Sequence, residues 1–346
     1  MKIGMAMSGG VDSSTGAALL RRQGHEVHGF FMRLPVPNQE DQIRRVGQVA
    51  DMLGIPLHLV DMDQVFTDTV IDYFLSTYQD GQTPNPCIRC NREIKFGSLL
   101  DIMQEHGMER GATGHYARIA TDGDRPVIRR GRDQRKDQSY FLCRIRPERL
   151  SRILFPLGEL HKKQVYDLAE ELGLSGFRQQ KESQDVCFLS HCSVAEFLRQ
   201  HGGPELPGDI VDTRGRVLGT HRGIWKYTIG QRRGLGIPDA TPWYVVALDG
   251  RHNQVIVGKD EELWRQSIDL CQVEWALART MPWEGLIQLR SRHQPAPATV
   301  TRTPRGWRAT FQSPQRAITP GQFAAFYEED RLVGSGIIAI PPESST

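Results

Sequence analysis

The segment Ser-Gly-Gly-Val-Asp-Ser-Ser, residues 8 to 14, follows an apolar run and precedes a helical pattern. Gly9 and Gly10 let the backbone turn with no Cβ in the way. Their N–H groups, with those of the first helical turn, can surround an anion. Ser8, Ser13 and Ser14 add hydroxyl donors, and Asp12 is placed to hold a magnesium ion or to orient the helix start. A plain Gly-Gly turn with Asp12 as helix cap is the bland alternative. The strand–loop–helix context favours a phosphate site. The spacing is neither that of a Walker A loop, which needs G-x-x-x-x-G-K-[ST], nor that of a G-x-G-x-x-G fingerprint.

Cysteines form the second chemical group. Thr83 to Phe96 reads TPNPCIRCNREIKF, with two prolines that hold the approach extended. Cys87 and Cys90 are therefore expected on a loop ahead of a helix. There the helix dipole, with Arg89 and Arg92, would lower a thiol pKa and favour a nucleophilic thiolate. The pair also admits half of a structural zinc site, although no second C-x-x-C or H-x-x-x-H follows. A redox motif is a further reading. Cys187 lies in KESQDVCFLS, residues 181 to 190, and taken alone reads as a small buried hydrophobe. Cys143, Cys192 and Cys271 read as packing residues.

These groups need a scaffold. Strand patterns over Lys2–Met7, His25–Met32, Ile55–Val60 and Gly111–Tyr116 alternate with helical ones over Asp12–Gln23, Asn38–Leu53, Gln64–Tyr78 and Arg92–His106. Such alternation predicts an α/β domain with a parallel sheet and helices on both faces. Ala117 to Arg130, turning at Asp122-Gly123, predicts a hairpin. Tyr140 to Leu174 reads as helix again. From about Gly208 the chain is rich in Gly, Pro and short strand patterns, such as Asp209–Val211, Tyr244–Leu248, Gln254–Val257, Thr299–Val300 and Phe323–Tyr327. The expected division is a catalytic domain over 1–195, a small β-rich domain over 196–265 and a C-terminal β-barrel over 266–346.

Composition is that of an ordinary soluble globular protein, at 39% hydrophobic and 24% charged residues, with six cysteines too sparse for a disulfide scaffold. No run approaches a membrane span, and MKIGMAMSGG turns to glycine too soon for a secretion signal, so a cytoplasmic protein is expected. A net charge of +2 does not announce nucleic acid. Local clusters are more telling: Arg125, Arg129, Arg130, Arg132, Arg135 and Lys136; Arg222, Lys226, Arg232 and Arg233; Arg290, Arg292 and His293. Each suits either a solvated face or phosphate contacts.

The loop at residues 8 to 14 resembles that of the N-type ATP pyrophosphatases, which implies adenylation by ATP. A longer resemblance covers nearly the whole chain. It takes in SGGVDSS, Gly29-Phe30-Phe31-Met32, TPNPCIRCNREIKFG, ATGHYAR at 112–118, KDQSYFL at 136–142 and the Cys187 segment. It continues through HRGIWKYTIGQRRGLGI at 221–237, PWYVV at 242–246 and ITPGQFAAFY at 318–327. In these motifs the chain is similar to the bacterial tRNA-specific 2-thiouridylases.

That resemblance implies a tRNA-uridine 2-sulfurtransferase using ATP and Mg2+ on tRNA of the Lys, Glu and Gln type. ATP would contact Ala6, Met7, Ser8, Gly9, Gly10, Val11, Asp12, Ser13, Met32 and Gly114. The C2 oxygen of the wobble uridine would be adenylated. Cys187 would carry sulfur as a persulfide, and Cys90 would be the nucleophile, with a transient Cys90–Cys187 disulfide or assistance to direct attack. A cysteine desulfurase or sulfur-relay proteins would supply the sulfur. The implied tRNA contacts are Asn85, Pro86, Cys87, His115, Lys136, Asp137, Gln138, Arg290, Ser291 and Gln322.

Two positions depart from the family pattern. Cys87 stands where some members carry an aspartate, which opens the alternative of a 4Fe–4S cluster on Cys87, Cys90 and Cys187. Ser291 replaces a tyrosine and loses a stacking surface. The competing classes are a small-molecule adenylating synthetase, which has no use for Cys90 or Cys187, a non-catalytic RNA-binding protein, and a cluster-dependent thiolase.

Overall fold

A computed structural model describes residues 1–340 apart from 38, 175–185, 203–205 and 305. Part of the Cys187 segment, residues 181–185, therefore lies outside the described residues. By its internal contacts the chain divides into two units. The first holds Met1–Val70, Pro86–Ser190 and Glu328–Val333, and the second holds Ile71–Asn85, His191–Tyr327 and Gly334 onward.

The first unit is built on a five-stranded parallel sheet. Its strands are β1 (Lys2–Ala6), β2 (Glu26–Arg33), β3 (Leu57–Asp61), β4 (Arg110–Ala112) and the short β7 (Ile153–Leu154), in the order β3-β2-β1-β4-β7. Side chains alternate along β1 because a strand has period two. Ile3 and Met5 are fully buried and pack with residues of α1 (Val11–Arg22), α2 (Gln39–Leu53) and α7 (Lys162–Glu171). Gly4, between them, meets the other face, where a Cβ would lie 2.9 Å from Met103 of α6 (Leu99–Glu105). Both faces are thus covered, as a parallel sheet requires. The hairpin β5 (Ala117–Asp122) and β6 (Arg125–Arg130) forms as its turn chemistry predicts, and Arg331 and Leu332 pair with Arg129 and Ile128 of β6.

Three helical readings need correction. The helix expected over Gln64–Tyr78 is α3 (Asp63–Phe66), a π turn over Thr67–Ile71 and α4 (Asp72–Gln79). The helix expected from Arg92 begins at Pro86, as α5 (Pro86–Cys90), and passes through a π segment over Asn91–Ser98 into α6. Proline is suited to a helix start, where its missing N–H costs nothing. Cys87 and Cys90 thus sit on a helical turn and not on a loop ahead of one. Most of the helix expected over Tyr140–Leu174 is absent: short 3-10 turns at Ser139–Leu142 and Pro147–Arg152 precede β7, and only α7 is α-helical. Pro147 and Pro156 interrupt it, and Gly158 backs against Ala117, whose carbonyl oxygen a Cβ would meet at 2.0 Å.

In the second unit α8 (Val194–Gln200) opens on a Ser193/Glu196 capping box. A four-stranded sheet follows, from β8 (Gly208–Asp212), β9 (Val217–His221), β10 (Tyr244–Asp249) and β11 (Gln254–Gly258), in the order β10-β11-β8-β9. Val245, Val255 and Val257 form its core with Ile210, Ile224, Tyr227 and Leu235. The remaining strands close an antiparallel barrel: β12 (Trp264–Trp275), β13 (Trp283–Gln288), β14 (Ala296–Thr303), β15 (Gly306–Arg316), β16 (Phe323–Glu328) and β17 (Arg331–Ile338). Closure is by β12 on β17, with Leu270 opposite Ile338 and Trp275 opposite Gly334. Closing the sheet removes its free edges. Among the described residues no helix is long and apolar enough to cross a membrane.

Candidate active site

The phosphate loop lies between β1 and α1. Gly9 takes φ +73°, a backbone state that a side chain would strain. The loop is braced internally: Ser8 N–H donates to Ser13 Oγ at 3.1 Å, and the hydroxyls of Ser13 and Ser14 donate to the Gly10 carbonyl at 3.1 and 3.0 Å. Gly10 is the cap residue of the twelve-residue helix α1, so the N–H groups of Val11 and Asp12 point out of its N-terminal end. Gly114 backs directly onto this turn, where a Cβ would stand 3.0 Å from the Asp12 carbonyl carbon and the Ser13 nitrogen. Met32 is half-buried near the C-terminal end of β2, the same sheet edge as the loop, which is where parallel sheets bind ligands. Ala6 ends β1 and Met7 follows it, its N–H donating to the Phe30 carbonyl at 2.8 Å.

Asp12 is engaged by two partners that sequence reading misses. Lys162 Nζ donates to its two carboxylate oxygens at 2.8 and 2.9 Å, and the Tyr116 hydroxyl donates to Oδ1 at 2.7 Å. Lys162 is the first residue of α7 and is only 8% exposed, with its ammonium 4.9 and 5.7 Å from the Tyr166 and Tyr116 ring centres. Asp12 thus carries three hydrogen bonds, two on Oδ1 and one on Oδ2, and its side chain is still one-third exposed. A carboxylate beside an anion site is repulsive, and Lys162 cancels it.

The thiols form the second part of the site. Cys90 is 9% exposed, Cys87 is half-buried and Cys187 is exposed. All are free thiols. Burial pushes Cys90 up to about 12 and raises Cys87 as well, which overturns the lowered pKa expected from the helix dipole. The expected cationic help is directed elsewhere: Arg89 and Arg92 pair with Glu93 at 3.8 and 3.0 Å. Cys187, on a 3-10 turn over Cys187–Leu189, is raised chiefly by desolvation too. Solvent contact is decided at the sulfur's open side and desolvation by the protein mass around it.

Lys95 acts on every member of this group. Its charge pulls down Cys87, Cys90 and Cys187, and it helps to hold His115 well below the ordinary imidazole value, after burial as the main cause. Cys187 in turn raises Cys87 and Cys90, and Cys87 raises Cys90. Lys95 is half-buried on the π segment, where Leu99 N–H donates to the Ile94 carbonyl, five residues back. The run is kinked within this span, where Gly97 leaves helical geometry at φ −104° and ψ −108°. His115, neutral at physiological pH, bonds Thr113 Oγ1 through Nδ1 at 2.7 Å and packs between Phe96 and Phe155. Among the described residues no three His, Cys, Asp or Glu side chains are grouped to hold a metal ion. The cluster alternative on Cys87, Cys90 and Cys187 thus finds no support among the described residues.

The remaining candidates fall in different places. Asp137 is turned inward, its carboxylate accepting from Arg130, Gly131 N–H and Ser139 at 2.9 to 3.1 Å. Gln138 is clipped to Tyr116 by bonds of 2.9 Å in both directions, and Lys136 is half-buried. Arg125, Arg132 and Arg135 are exposed and make no ion pair among the described residues. In the second unit Gln322 holds Asn85 together with the carbonyls of Thr83 and Pro84. Arg290 and Ser291 are exposed after β13. Pro86 is buried at the start of α5.

Three family models match in order. They are a tRNA methyl transferase HUP domain over residues 1–191, a tRNA methyl transferase PRC-barrel domain over 195–259 and an aminomethyltransferase beta-barrel domain over 265–338. The tRNA-specific 2-thiouridylase MnmA of Desulfotalea psychrophila is 44% identical over 339 residues, covering 97% of this chain and 98% of that protein. Those of Pelobacter propionicus and Geobacter metallireducens are each 43% identical, covering 98% and 97% of this chain and 97% and 96% of theirs. Identity at this level along essentially the full length of both partners, with the loop and the thiols in place, means that the chain belongs to the tRNA-specific 2-thiouridylase family.

Proposed function

We propose that the chain is an ATP-dependent tRNA-uridine 2-sulfurtransferase acting on the wobble uridine. The observation that carries the reading is the Gly114-His115 step. Gly114 touches the phosphate loop, and its neighbour His115 shares the field of Lys95 with Cys87, Cys90 and Cys187. That adjacency, within one unit, supports reading the loop and the thiols as parts of one site.

The uridine must leave its base stack for its C2 oxygen to reach a buried nucleotide. That oxygen attacks the α-phosphate of ATP at the loop, and pyrophosphate departs. The exposed Cys187 receives sulfur from a cysteine desulfurase or a relay protein and carries it as a persulfide. The terminal sulfur attacks C2, and AMP leaves with the former C2 oxygen. Cys90 then attacks Cys187 Sγ, which frees the 2-thiouridine and leaves a Cys90–Cys187 disulfide. Lys95 favours each thiolate in turn. Asp12, paired with Lys162 and one-third exposed, is the carboxylate at this loop that would meet the magnesium arriving with ATP. The cytoplasm, where tRNA is modified, is the compartment that fits.

The test is nucleoside mass spectrometry of unmodified tRNA of the Lys, Glu or Gln type, incubated with ATP, magnesium and a desulfurase sulfur source. The expected result is 2-thiouridine that needs both Cys90 and Cys187. No thiouridine from the wild-type chain would overturn the reading.

A further inference from the structure

We infer, resting on the proposed sulfur chemistry, that Asn91 and Gln138 are positioning residues for the step taken by Cys90. The segment from Gln138 to Arg146 is bonded to the nucleotide site at one end and to the cysteine helix at the other. It thereby fixes Cys90 relative to the phosphate loop.

At the nucleotide end the attachment is double. Gln138 N–H donates to the Tyr116 carbonyl, and Gln138 Oε1 accepts from Tyr116 N–H, each at 2.9 Å. A backbone N–H can only donate, so the side-chain oxygen is the atom turned inward. The resemblance gives Gln138 to tRNA, whereas its Oε1 is spent on Tyr116. The Tyr116 hydroxyl donates in turn to Asp12 of the loop at 2.7 Å, and Gly114, two residues earlier, backs onto the same turn. Asp137 pins the start of the segment through Arg130, Gly131 and Ser139.

At the other end, the three residues that follow Cys90 are all bonded to the segment. Asn91 Nδ2 donates to the Phe141 carbonyl at 3.0 Å, Arg92 Nη1 donates to the Arg144 carbonyl at 3.2 Å, and Glu93 accepts from Arg146 at 2.9 Å. Neighbouring helical side chains point about 100° apart. Meeting three in succession takes the segment part of the way round the helix, which fixes its rotation as well as its place. Asn91 is 2% exposed, so its bond is shielded from water. Between the two ends lies the 3-10 turn Ser139–Leu142, with Tyr140 and Leu142 buried. A turn packed in this way has little room to flex.

The chemistry that depends on this arrangement is the release of the product. Once the terminal sulfur has attacked C2, the uridine is joined through two sulfurs to Cys187. Cys90 must then line up with Cys187 Sγ while the uridine still sits at the loop. The Cys90 thiolate forms the new S–S bond, and the sulfur on C2 leaves with the electron pair of the old one, so the step needs no outside oxidant. A misplacement of about 1 Å in such an approach costs up to roughly 100-fold in rate. Adenylation uses the loop alone and does not feel the loss.

The experiment is a single turnover of the full chain, loaded with sulfur by a cysteine desulfurase, on unmodified tRNA. Samples are quenched in acid, and pyrophosphate and protein-free 2-thiouridine are measured in each. In wild type the two should rise with little delay between them. Asn91→Ala and Gln138→Ala should release pyrophosphate within about twofold of the wild-type rate and free 2-thiouridine roughly tenfold more slowly, with tRNA held on Cys187 in the interval. Gln138→Ala keeps the test open should the buried Asn91 variant fail to fold. Gln138→Glu keeps the inward acceptor and should restore the wild-type timing. Equal slowing of both products in the Ala variants would mark a loss of fold or binding and would overturn the inference. Wild-type timing in both variants would overturn it as well. So would a Gln138→Glu delay equal to that of Gln138→Ala, which would assign Gln138 to RNA through Nε2. Each of these outcomes leaves the sulfurtransferase reading standing. If wild type forms no 2-thiouridine, both fall.

Discussion

Lys162 sets its ammonium 2.8 Å from one carboxylate oxygen of Asp12 and 2.9 Å from the other, although the two residues are 150 positions apart in sequence. The pair places a cation beside a candidate phosphate loop whose own residues, 8 to 14, include no lysine. Lys162→Met leaves Asp12 unpaired at an anion site. A fall in ATP affinity of roughly 10- to 100-fold is expected, the size of a missing charge-assisted bond. Stability should drop by about 1–3 kcal/mol, since the Asp12 side chain is one-third exposed and solvent screens part of the loss. Titration calorimetry and urea unfolding measure the two effects. The double variant Asp12→Asn/Lys162→Met should regain the stability and not the affinity. Affinity unchanged in Lys162→Met would show that the ammonium does not serve the nucleotide.

Gln322 uses its whole side chain on the approach to the cysteine helix. It accepts from Asn85 at 3.3 Å and donates to the carbonyls of Thr83 and Pro84 at 3.1 and 2.9 Å. Gln322→Ala removes these anchors, so backbone exchange at Thr83 and Asn85 should quicken about tenfold, as expected for the loss of one or two hydrogen bonds. Hydrogen-exchange mass spectrometry reads this without tRNA. Unchanged exchange would mean that the segment is held by something else.

The basic hairpin separates into two classes with opposite expected behaviour. Arg129 and Arg130 are committed to Asp330 and Asp137 at 3.6 and 2.9 Å, and Asp137 is 6% exposed at its side chain. Asp137→Asn should cost about 2–4 kcal/mol in chemical denaturation, because it removes the buried carboxylate charge that accepts from Arg130, Gly131 and Ser139. Arg125, Arg132 and Arg135 are exposed, so their joint change to Ala should leave the melting temperature alone. It should weaken tRNA binding and flatten its salt dependence by up to about one slope unit for each phosphate no longer neutralised. A filter-binding salt series checks this, and an unaltered slope would remove these arginines from the tRNA surface.

What could be read from sequence was local. The loop at residues 8 to 14 is a short motif between a strand and a helix, and its geometry follows from its glycines and its neighbours. The Ala117–Arg130 hairpin announces itself by its turn. Lys162 escaped notice because no local pattern links it to Asp12. Lys95 escaped because its place depends on the kinked run after Cys90. The thiol of Cys90 was misjudged for a physical reason. The dipole of a short helix is worth a fraction of what full burial costs a charged sulfur. The barrel strands β12 and β15 were missed because their outward residues are polar and break up the hydrophobic run, as in Trp264–Trp275 with its pattern of exposed and buried positions.

His28 and His58, on β2 and β3, stack their rings, and His106 meets His58 edge-on. His28 Nδ1 and His58 Nε2 are 3.0 Å apart, and the His106 ring meets that of His58 at 4.8 Å. Desolvation, with the charges of His106 and His28, holds His58 below the ordinary value of 6.5. Glu26, beside His28 at 3.3 Å, is the nearest anion, and Lys2 shares it. In the folded state His58 resists protonation more than in the unfolded state, so the unfolded chain binds the proton first. Stability is therefore full above about pH 6.5 and declines as pH falls below it. His58→Gln should flatten that decline, as seen in melting temperature between pH 7 and about pH 5. An equal decline in both proteins would place the acid sensitivity elsewhere.

Cys90 makes the opposite prediction on the alkaline side. Its thiol is pushed up to about 12 from 9.0, chiefly by burial, while Lys95 pulls it back. The unfolded chain then loses the proton at lower pH than the folded one. Stability is full below about pH 9 and is lost as pH rises toward 12. Cys90→Ala should lessen this loss, as measured by urea unfolding from pH 8 to about pH 10.5. Iodoacetamide at pH 8 should label exposed Cys187 well before Cys90. Lys95→Met should slow the labelling of both, because it removes the one cation that lowers all three thiols, and Lys95→Arg should restore the rate. Labelling of Cys90 as fast as that of Cys187 would show that the helical turn opens readily. Sulfur transfer would then need no separate step to expose it.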